Sequence, residues 1–167
     1  MKDIRSLSKE ELISECESLG EKKFRANQLW EWLWQKGVTS FDEMSNLSKA
    51  FREKLAEAYE IKAMTIANTQ QSKDGTIKYA FRLNDGFLVE GVLIPSKDRV
   101  TACISSQVGC SLSCTFCATG FLKRERNLRA DEIFDQVNLL RKEAERAYNL
   151  NLSNIVLMGM GEPLLNY

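Results

Sequence analysis

Three cysteines within one short stretch constrain this chain more than any other feature of its sequence. They stand at Cys110, Cys114 and Cys117, separated first by three residues and then by two. Thiolate ligands select zinc, copper(I) or iron–sulfur clusters, and structural zinc sites and most iron–sulfur clusters take four protein ligands. Three thiols therefore favour a cluster with one iron left open to a substrate or cofactor. A zinc site or a disulfide knuckle is the alternative.

Composition restricts the chemistry that this loop can serve. The 167 residues include no histidine, and Lys+Arg and Asp+Glu balance at 23 each. Without histidine there is no Cys–His pair or Ser–His–Asp triad, so acid–base steps fall to carboxylates, lysine, tyrosine or cysteine. No stretch approaches the roughly 20 apolar residues of a membrane span, and the N-terminus lacks a signal-peptide core. We therefore expect a cytoplasmic protein without a membrane partner, in which thiols stay reduced.

The first part of the chain predicts a helical bundle. Ser8 to Glu11 has the pattern of a capping box, a second helix carries three tryptophans between residues 24 and 34, and Ser48 caps a third helix. We assign residues 1–60 to an N-terminal helical accessory domain. Its candidate RNA-binding residues are Lys22, Lys23 and Arg25.

A change to alternating hydrophobicity predicts a β-hairpin. Apolar residues alternate from Ile77 to Leu83, a turn follows at Asn84–Gly86, and a second extended run reaches Ile94. We assign residues 61–98 to this hairpin extension.

Glu90 is the unexpected residue of the second strand. It shares one strand face with Leu88, Val92 and Ile94. If that face is buried, the carboxylate becomes a stronger base near neutral pH. If that face is solvated, a glutamate there is ordinary. The pattern leaves both interpretations open.

Residues 99–167 predict a βαβ unit. An extended run from 99 to 106 leads into the cysteine loop, a helix begins near Ala130, and Ile155–Met158 is typical of a buried strand. A βαβ unit implies a parallel sheet that binds ligands at the carboxyl ends of its strands. The cysteine loop and the segment Gly159–Pro163 both lie at that edge.

Three features of this region have more than one interpretation. Cys103 lies seven residues before Cys110, so its spacing suits either a fourth metal ligand or a small buried residue. Gly159–Pro163 is either a tight turn or a loop whose backbone approaches a cofactor while Glu162 holds an ammonium group. The basic residues between 123 and 129 either contact RNA phosphates or form a solvated surface.

The cysteine loop resembles that of the radical S-adenosylmethionine (SAM) enzymes, and the chain as a whole resembles the dual-specificity RlmN family of RNA methyltransferases among them. The family's segments occur here in the family's order. They are Phe24–Trp30, Asn46–Lys49, Asp74–Thr76, Val89–Pro95, Cys103–Gly120 and Met158–Leu165. The resemblance implies an α/β fold, with the N-terminal helical bundle and β-hairpin followed by the start of a radical SAM partial (β/α) barrel at residues 99–167.

The resemblance also implies cofactors and the residues that hold them. A [4Fe-4S] cluster would be held by Cys110, Cys114 and Cys117, with SAM on its open iron. Gly161 and Glu162 would contact SAM.

The same resemblance implies a reaction. Glu90 would accept a proton, and Cys103 would help to release a covalent enzyme–RNA adduct. A different, C-terminal cysteine would take a methyl group from one SAM, and a radical generated from a second SAM would lead to transfer of that methyl to adenine C2. The implied partners are 23S rRNA at the peptidyl-transferase centre, the tRNA anticodon loop and an electron donor such as flavodoxin. We expect a monomer.

The chain departs from the family in length. Family members continue for several more βα units, and no cysteine follows Cys117 here, so we expect an N-terminal half that does not turn over alone. A second hypothesis is a noncatalytic RNA-binding module with a structural zinc on four cysteines of this region. These four are Cys103, Cys110, Cys114 and Cys117. A third hypothesis, a radical SAM enzyme that acts on protein or a small molecule, does not explain the N-terminal match.

Overall fold

The computed structural model describes residues 1–166 and contains both helices and strands. The helices are α1 (Lys9–Ser18), α2 (Phe24–Glu31), α3 (Lys49–Ala58) and α4 (Ala130–Tyr148). The strands are β1 (Lys2–Asp3), β2 (Tyr59–Glu60), β3 (Thr65–Gln71), β4 (Ile77–Arg82), β5 (Leu88–Ser96), β6 (Arg99–Cys103), β7 (Gln107–Val108), β8 (Arg126–Asn127) and β9 (Leu152–Val156). Within residues 1–166, no helix has the length and apolar character needed to cross a membrane.

The first unit, Met1–Lys62, contains the predicted helical bundle. The capping box is present, because the Ser8 hydroxyl accepts the Glu11 N–H at 3.1 Å while the Glu11 carboxylate accepts the Ser8 N–H at 2.6 Å. α2 continues into a π-helical turn at Trp32–Lys36. The parallel pair β1–β2, which the sequence did not predict, completes the unit. Its buried core includes Ile4, Leu12, Cys16, Leu29, Leu33, Phe51 and Leu55.

The second unit begins at Ala63 and is organised around a five-stranded sheet of order β3-β4-β5-β6-β9. The predicted hairpin is the antiparallel pair β4–β5. The predicted βαβ unit is formed by β6, α4 and β9, since β6 and β9 pair in parallel. β3 adds an outer strand that the sequence analysis did not identify. The mixed α/β fold class is thereby confirmed.

The last strand differs from its prediction. We expected a buried strand at Ile155–Met158, whereas β9 spans Leu152–Val156 and lies at the end of the strand order. Ile155 is 51% exposed, Leu157 44% and Met158 79%. The prediction of burial was wrong because the described residues do not cover these side chains with a second layer.

The central strands present two faces of opposite character. α4 packs on the first, here called the covered face, through Leu140 and Ala144, which are fully buried. The opposite face is here called the open face. The covered face carries Ile77, Tyr79, Phe81, Val89, Leu93, Val100 and Ala102. The open face carries Asn68, Gln70, Lys78, Ala80, Leu88, Glu90, Val92, Ile94 and Cys103.

Candidate active site

The two ends of the cysteine loop approach each other closely where Gly109 meets Lys123, a point here called the neck of the loop. Gly109 has a φ of 72°, and a Cβ at this position would collide with the carbonyl oxygen of Lys123. A glycine is therefore required at this left-handed close approach. On the side of the neck away from the cysteines, the Glu125 N–H donates to the Val108 carbonyl at 2.9 Å, and β7 pairs with β8. These contacts fix both ends of the loop while residues 110–122 project from them.

The three thiols of this loop are partly buried, and two of them receive backbone N–H groups. The Leu112 N–H donates to Cys110 Sγ at 3.4 Å. The N–H groups of Gly120 and Thr119 lower the pKa of the Cys117 thiol. Because the thiolate is the form that binds metals, the N–H groups of Gly120 and Thr119 favour the ligating form of Cys117. A cavity of about 590 Å³ adjoins Cys110.

The donor set fits an iron–sulfur cluster in its chemistry, although it is not preassembled. Cysteine sulfur is the usual ligand of such clusters, and zinc takes the same ligand. Within residues 1–166, no three histidine, cysteine or acidic side chains converge closely enough to hold a metal. Binding of a cluster therefore requires the loop to bring its three sulfurs together.

The Gly159–Pro163 segment lies against the chain that enters the cysteine loop. Gly161 has a φ of 95°, and a Cβ there would lie 2.5 Å from Gln107 Cβ. The Glu162 N–H donates to Gln107 Oε1 at 3.0 Å. The Oε1 atom of Glu162 accepts the Leu164 N–H at 3.0 Å. The close approach that requires glycine is thus made to Gln107, and Glu162 also caps the short 3-10 turn Pro163–Leu165.

Ser105 joins three parts of the site and was missed by sequence reasoning. Its hydroxyl donates to the Glu90 carbonyl at 2.6 Å and accepts the Met160 N–H at 2.9 Å. Its backbone is held by Gln136 of α4, which accepts the Ser105 N–H at 2.8 Å and donates to the Ser105 carbonyl at 3.0 Å. Ser105 and Gln136 are both 0% exposed. The sequence signal that could have found this contact is Gln136, a polar residue among the apolar positions Ile133 and Val137 of α4.

Glu90 lies on the open face with Leu88, Val92 and Ile94, as the alternation predicted. The sequence left burial of this face open, and the structure excludes it, because α4 covers the opposite face of β5. The Glu90 side chain is 49% exposed, and its Oε1 lies 3.0 Å from Lys78 Nζ. The solvated alternative describes this carboxylate.

Cys103 ends β6 and is 9% exposed. Burial raises the pKa of its thiol, and a hydrogen bond from the Met158 N–H lowers it in part. A cavity of about 200 Å³ brings Cys103 together with Glu90, Cys117 and Met160. The structure thus places two of the predicted reactive side chains and one cluster cysteine around a common space.

The basic residues after the cysteine loop are largely engaged within the protein. Arg126 pairs with Asp85 and with Glu132, the latter at 2.8 Å through two nitrogens. Arg129 pairs with Asp131 at 2.7 Å. These two arginines brace the start of α4 and the turn of the β4–β5 hairpin.

Comparison with solved structures defines the class of protein. A radical SAM methyltransferase from Sphaerobacter thermophilus superposes with a TM-score of 0.84 and 39% sequence identity, over 100% of this chain and 49% of that one. The fold of this chain is therefore that of about half of a radical SAM methyltransferase.

Sequence comparison then identifies the family. Residues 2–61 match the Ribosomal RNA large subunit methyltransferase N-terminal domain. The probable dual-specificity RNA methyltransferase RlmN of Cytophaga hutchinsonii is 59% identical over 99% of this chain and 46% of its own length. The RlmN of Oleidesulfovibrio alaskensis is 52% identical over 99% of this chain and 47% of its own length. The chain belongs to the RlmN family, and it spans about half the length of these curated relatives.

Proposed function

We propose that this chain supplies the cluster-binding and SAM-binding part of an enzyme that methylates C2 of adenosine in 23S rRNA and in the tRNA anticodon loop. The observation that carries the proposal is the cavity of about 200 Å³ shared by Glu90, Cys103 and Cys117. Residues from β5, β6 and the cysteine loop converge there beside the Gly159–Pro163 segment. The printed names of the relatives, RNA methyltransferases, support RNA as the substrate class.

The proposed cofactor ligands are those that the family resemblance implies. Cys110, Cys114 and Cys117 would hold a [4Fe-4S] cluster, and Gly161 and Glu162 would contact SAM. Together these cofactors supply radical chemistry when bound. The chain's own contribution is to hold the SAM-contacting segment against Gln107.

Glu90 is the proposed acceptor of the proton that leaves the adenine ring. It lies on a solvated face and is ion-paired with Lys78. Its carboxylate is therefore accessible to a substrate entering the cavity, and a carboxylate is a competent general base once it is correctly positioned.

Cys103 is the proposed thiol that helps to release the RNA from its covalent adduct. Burial raises the pKa of this thiol, so it remains protonated at neutral pH. The thiolate is the nucleophile, which means that Cys103 requires a base when it acts. Its protonated state also limits unwanted oxidation.

Methyl transfer through a methyl-cysteine requires a further cysteine, and none follows Cys117 in these 167 residues. The isolated chain should therefore leave adenosine unmethylated, which mass spectrometry of digested RNA would show. Methylated adenosine formed by the isolated chain would overturn this role for a further cysteine. An electron donor such as flavodoxin belongs to the same proposal.

Anaerobic reconstitution with iron and sulfide tests the metal centre. We expect about four irons per chain and an EPR signal of the reduced cluster that changes when SAM is added. Cys117→Ser should abolish the signal, whereas Cys103→Ala should preserve it. A single tightly bound zinc that is lost in Cys103→Ala would contradict the proposal and favour a zinc-stabilised RNA-binding module.

A further inference from the structure

Four polar side chains form a group on the open face, toward the outer strands of the sheet. Gln70 of β3 lies opposite Lys78 of β4, and Asn68 lies opposite Ala80, which in turn lies opposite Glu90 of β5. The side chains of paired residues share a face of the sheet. A cavity of about 60 Å³ is lined by these five residues.

This group adjoins the cysteine loop. Lys78 and Glu90 also line a larger cavity of about 420 Å³, together with Ala118 and Thr119 of the cysteine loop. A ligand in the larger cavity would therefore meet the Lys78 ammonium and the Glu90 carboxylate before it reached the outer strand. The outer polar group extends the candidate active site away from Cys103.

The ion pair between Lys78 and Glu90 is suited to exchange. The two side chains are 44% and 49% exposed, and their charged atoms lie 3.0 Å apart. Exposed ion pairs contribute little to stability because water screens them. A second anion can consequently replace the Glu90 carboxylate on Lys78 with little loss of folding energy.

The chemistry of the group favours a phosphate as that second anion. Lys78 supplies an ammonium, and Gln70 and Asn68 supply side-chain amides, which are among the groups that contact RNA phosphates. Asn68 Oδ1 accepts the Thr69 N–H at 2.8 Å, which leaves its amide nitrogen as the group that can donate to a ligand.

Lys78 can be reached from the side of the proposed SAM contacts as well as from the outer strands. Met160 of the Gly159–Pro163 segment lines the same cavity of about 420 Å³ as Lys78. Asn68 and Gln70, however, place amide donors on the outer side of Lys78. These donors favour a phosphate of the RNA over the carboxylate of SAM as the anion that Lys78 binds.

We propose that Lys78, assisted by Asn68 and Gln70, binds a phosphate of the substrate RNA beside the target adenosine, and that this exchange releases Glu90 from its ion pair. The inference rests on the proposed function and adds a substrate subsite to it. Glu90 is thereby held by Lys78 until RNA is present, and it then faces the adenine.

Fluorescence anisotropy with a labelled RNA stem-loop containing an unpaired adenosine tests the subsite, using the full 167-residue chain. Loss of one phosphate contact reduces the salt slope of binding by about 0.7–0.9. For Lys78→Ala, the ratio of affinities at 50 mM and 200 mM salt should therefore fall by about threefold. Lys97→Ala removes the same charge from the exposed β5–β6 turn and should leave that ratio unchanged.

A double-mutant cycle tests the exchange itself. Glu90→Gln removes the competing carboxylate and should tighten RNA binding severalfold, provided that Lys78 is present. The gain should disappear in the double variant Lys78→Ala/Glu90→Gln. A gain of equal size without Lys78 would overturn the exchange, because it would reflect only a less negative surface.

Three further outcomes separate this inference from the proposed function. Equal RNA binding by the wild-type chain and by Lys78→Ala would overturn the subsite alone. A wild-type chain that binds no RNA would also overturn the subsite, while the cluster- and SAM-binding role would still be decided by the anaerobic reconstitution. If Lys78→Ala weakens binding of SAM to the reconstituted chain but leaves RNA binding unchanged, the anion is the SAM carboxylate and the RNA subsite is wrong.

Discussion

The covered and open faces of the sheet are built from alternate residues of the same strands, yet they differ in almost every property. Tyr79, Phe81 and Leu93 on the covered face are 0% exposed, whereas Leu88 and Ile94 on the open face are each 45% exposed. The difference arises because α4 adds an apolar layer to one face only. Stability and chemistry therefore belong to different residues of each strand, and substitutions can separate them.

A buried polar node formed by Gln136 and Ser105 joins the two faces. Gln136 extends from α4 to the backbone of Ser105, and the Ser105 hydroxyl reaches the backbone of Glu90 and Met160. The helix that stabilises the covered face thus also sets the position of the site segments. Four predictions test how far the two faces are separable.

The largest effect is expected from a cavity in the covered face. Phe81→Ala should lower the free energy of unfolding by about 3–5 kcal/mol, whereas Ile94→Ala on the open face should change it by less than about 1 kcal/mol. Urea unfolding followed by far-UV circular dichroism measures both. All three tryptophans lie between residues 30 and 34, so their fluorescence reports the first unit and serves as an internal control. Equal losses for both variants would remove the distinction between the faces.

The node should give the next largest effect. Gln136→Leu leaves the buried N–H and carbonyl of Ser105 without their partners, and each unsatisfied group costs about 1–3 kcal/mol. Native-state hydrogen exchange should show faster exchange at the amides of Ser105 and Met160. Gln71→Leu, an exposed glutamine at the end of β3, should leave both amides protected. Unchanged protection in Gln136→Leu would mean that the node does not link the faces.

Loss of the arginine that braces the neck of the cysteine loop should have a smaller effect. Glu132 is 5% exposed and relies on Arg126 at 2.8 Å, with Arg129 further away at 3.7 Å. Arg126→Ala should destabilise the second unit by about 1.5–3 kcal/mol, because hydrogen bonds to charged groups contribute that much. Arg124→Ala, which removes an exposed arginine, is the matched control. An equal effect of the two substitutions in urea unfolding would refute the brace.

Acid should weaken the covered face by the smallest amount. Arg146, and then the hydroxyl of Tyr79, lower the pKa of Glu143. A carboxyl with a depressed pKa stabilises the fold above its unfolded value of about 4.3 and loses that contribution as the pH falls through the lower, folded value. Glu143→Gln should therefore flatten the decline of unfolding free energy below about pH 4.3, as urea titrations across that range would show. An unchanged acid dependence would exclude Glu143 as its source.

The elements with strong local signals were predictable from sequence. The capping box at Ser8, the β4–β5 hairpin and the parallel βαβ unit all have patterns that depend on neighbouring residues. The spacing of Cys110, Cys114 and Cys117 belongs to the same class, since it places three thiols in one short loop, although the structure does not bring their sulfurs together. Family resemblance added roles for Glu90 and Cys103 that the pattern alone left open.

The remaining features depend on contacts between distant residues. Alternation showed that Glu90 shares a face with Leu88 and Ile94, but the face that is covered depends on where α4 packs. The node is formed by Gln136 and Ser105, which are 31 residues apart, and no local pattern pairs them. β9 carries an apolar sequence and remains exposed because burial requires a second layer, which strand composition does not report.

The closed neck at Gly109 has a consequence for how the loop would capture the proposed cluster. With both ends fixed, the sulfurs of Cys110, Cys114 and Cys117 search only the small volume that residues 110–122 can reach. If one sulfur binds iron, the others encounter it at an effective concentration on the order of millimolar or above, as for short flexible linkers. The same confinement places the thiols near one another, so exposure to air favours a disulfide between two of them.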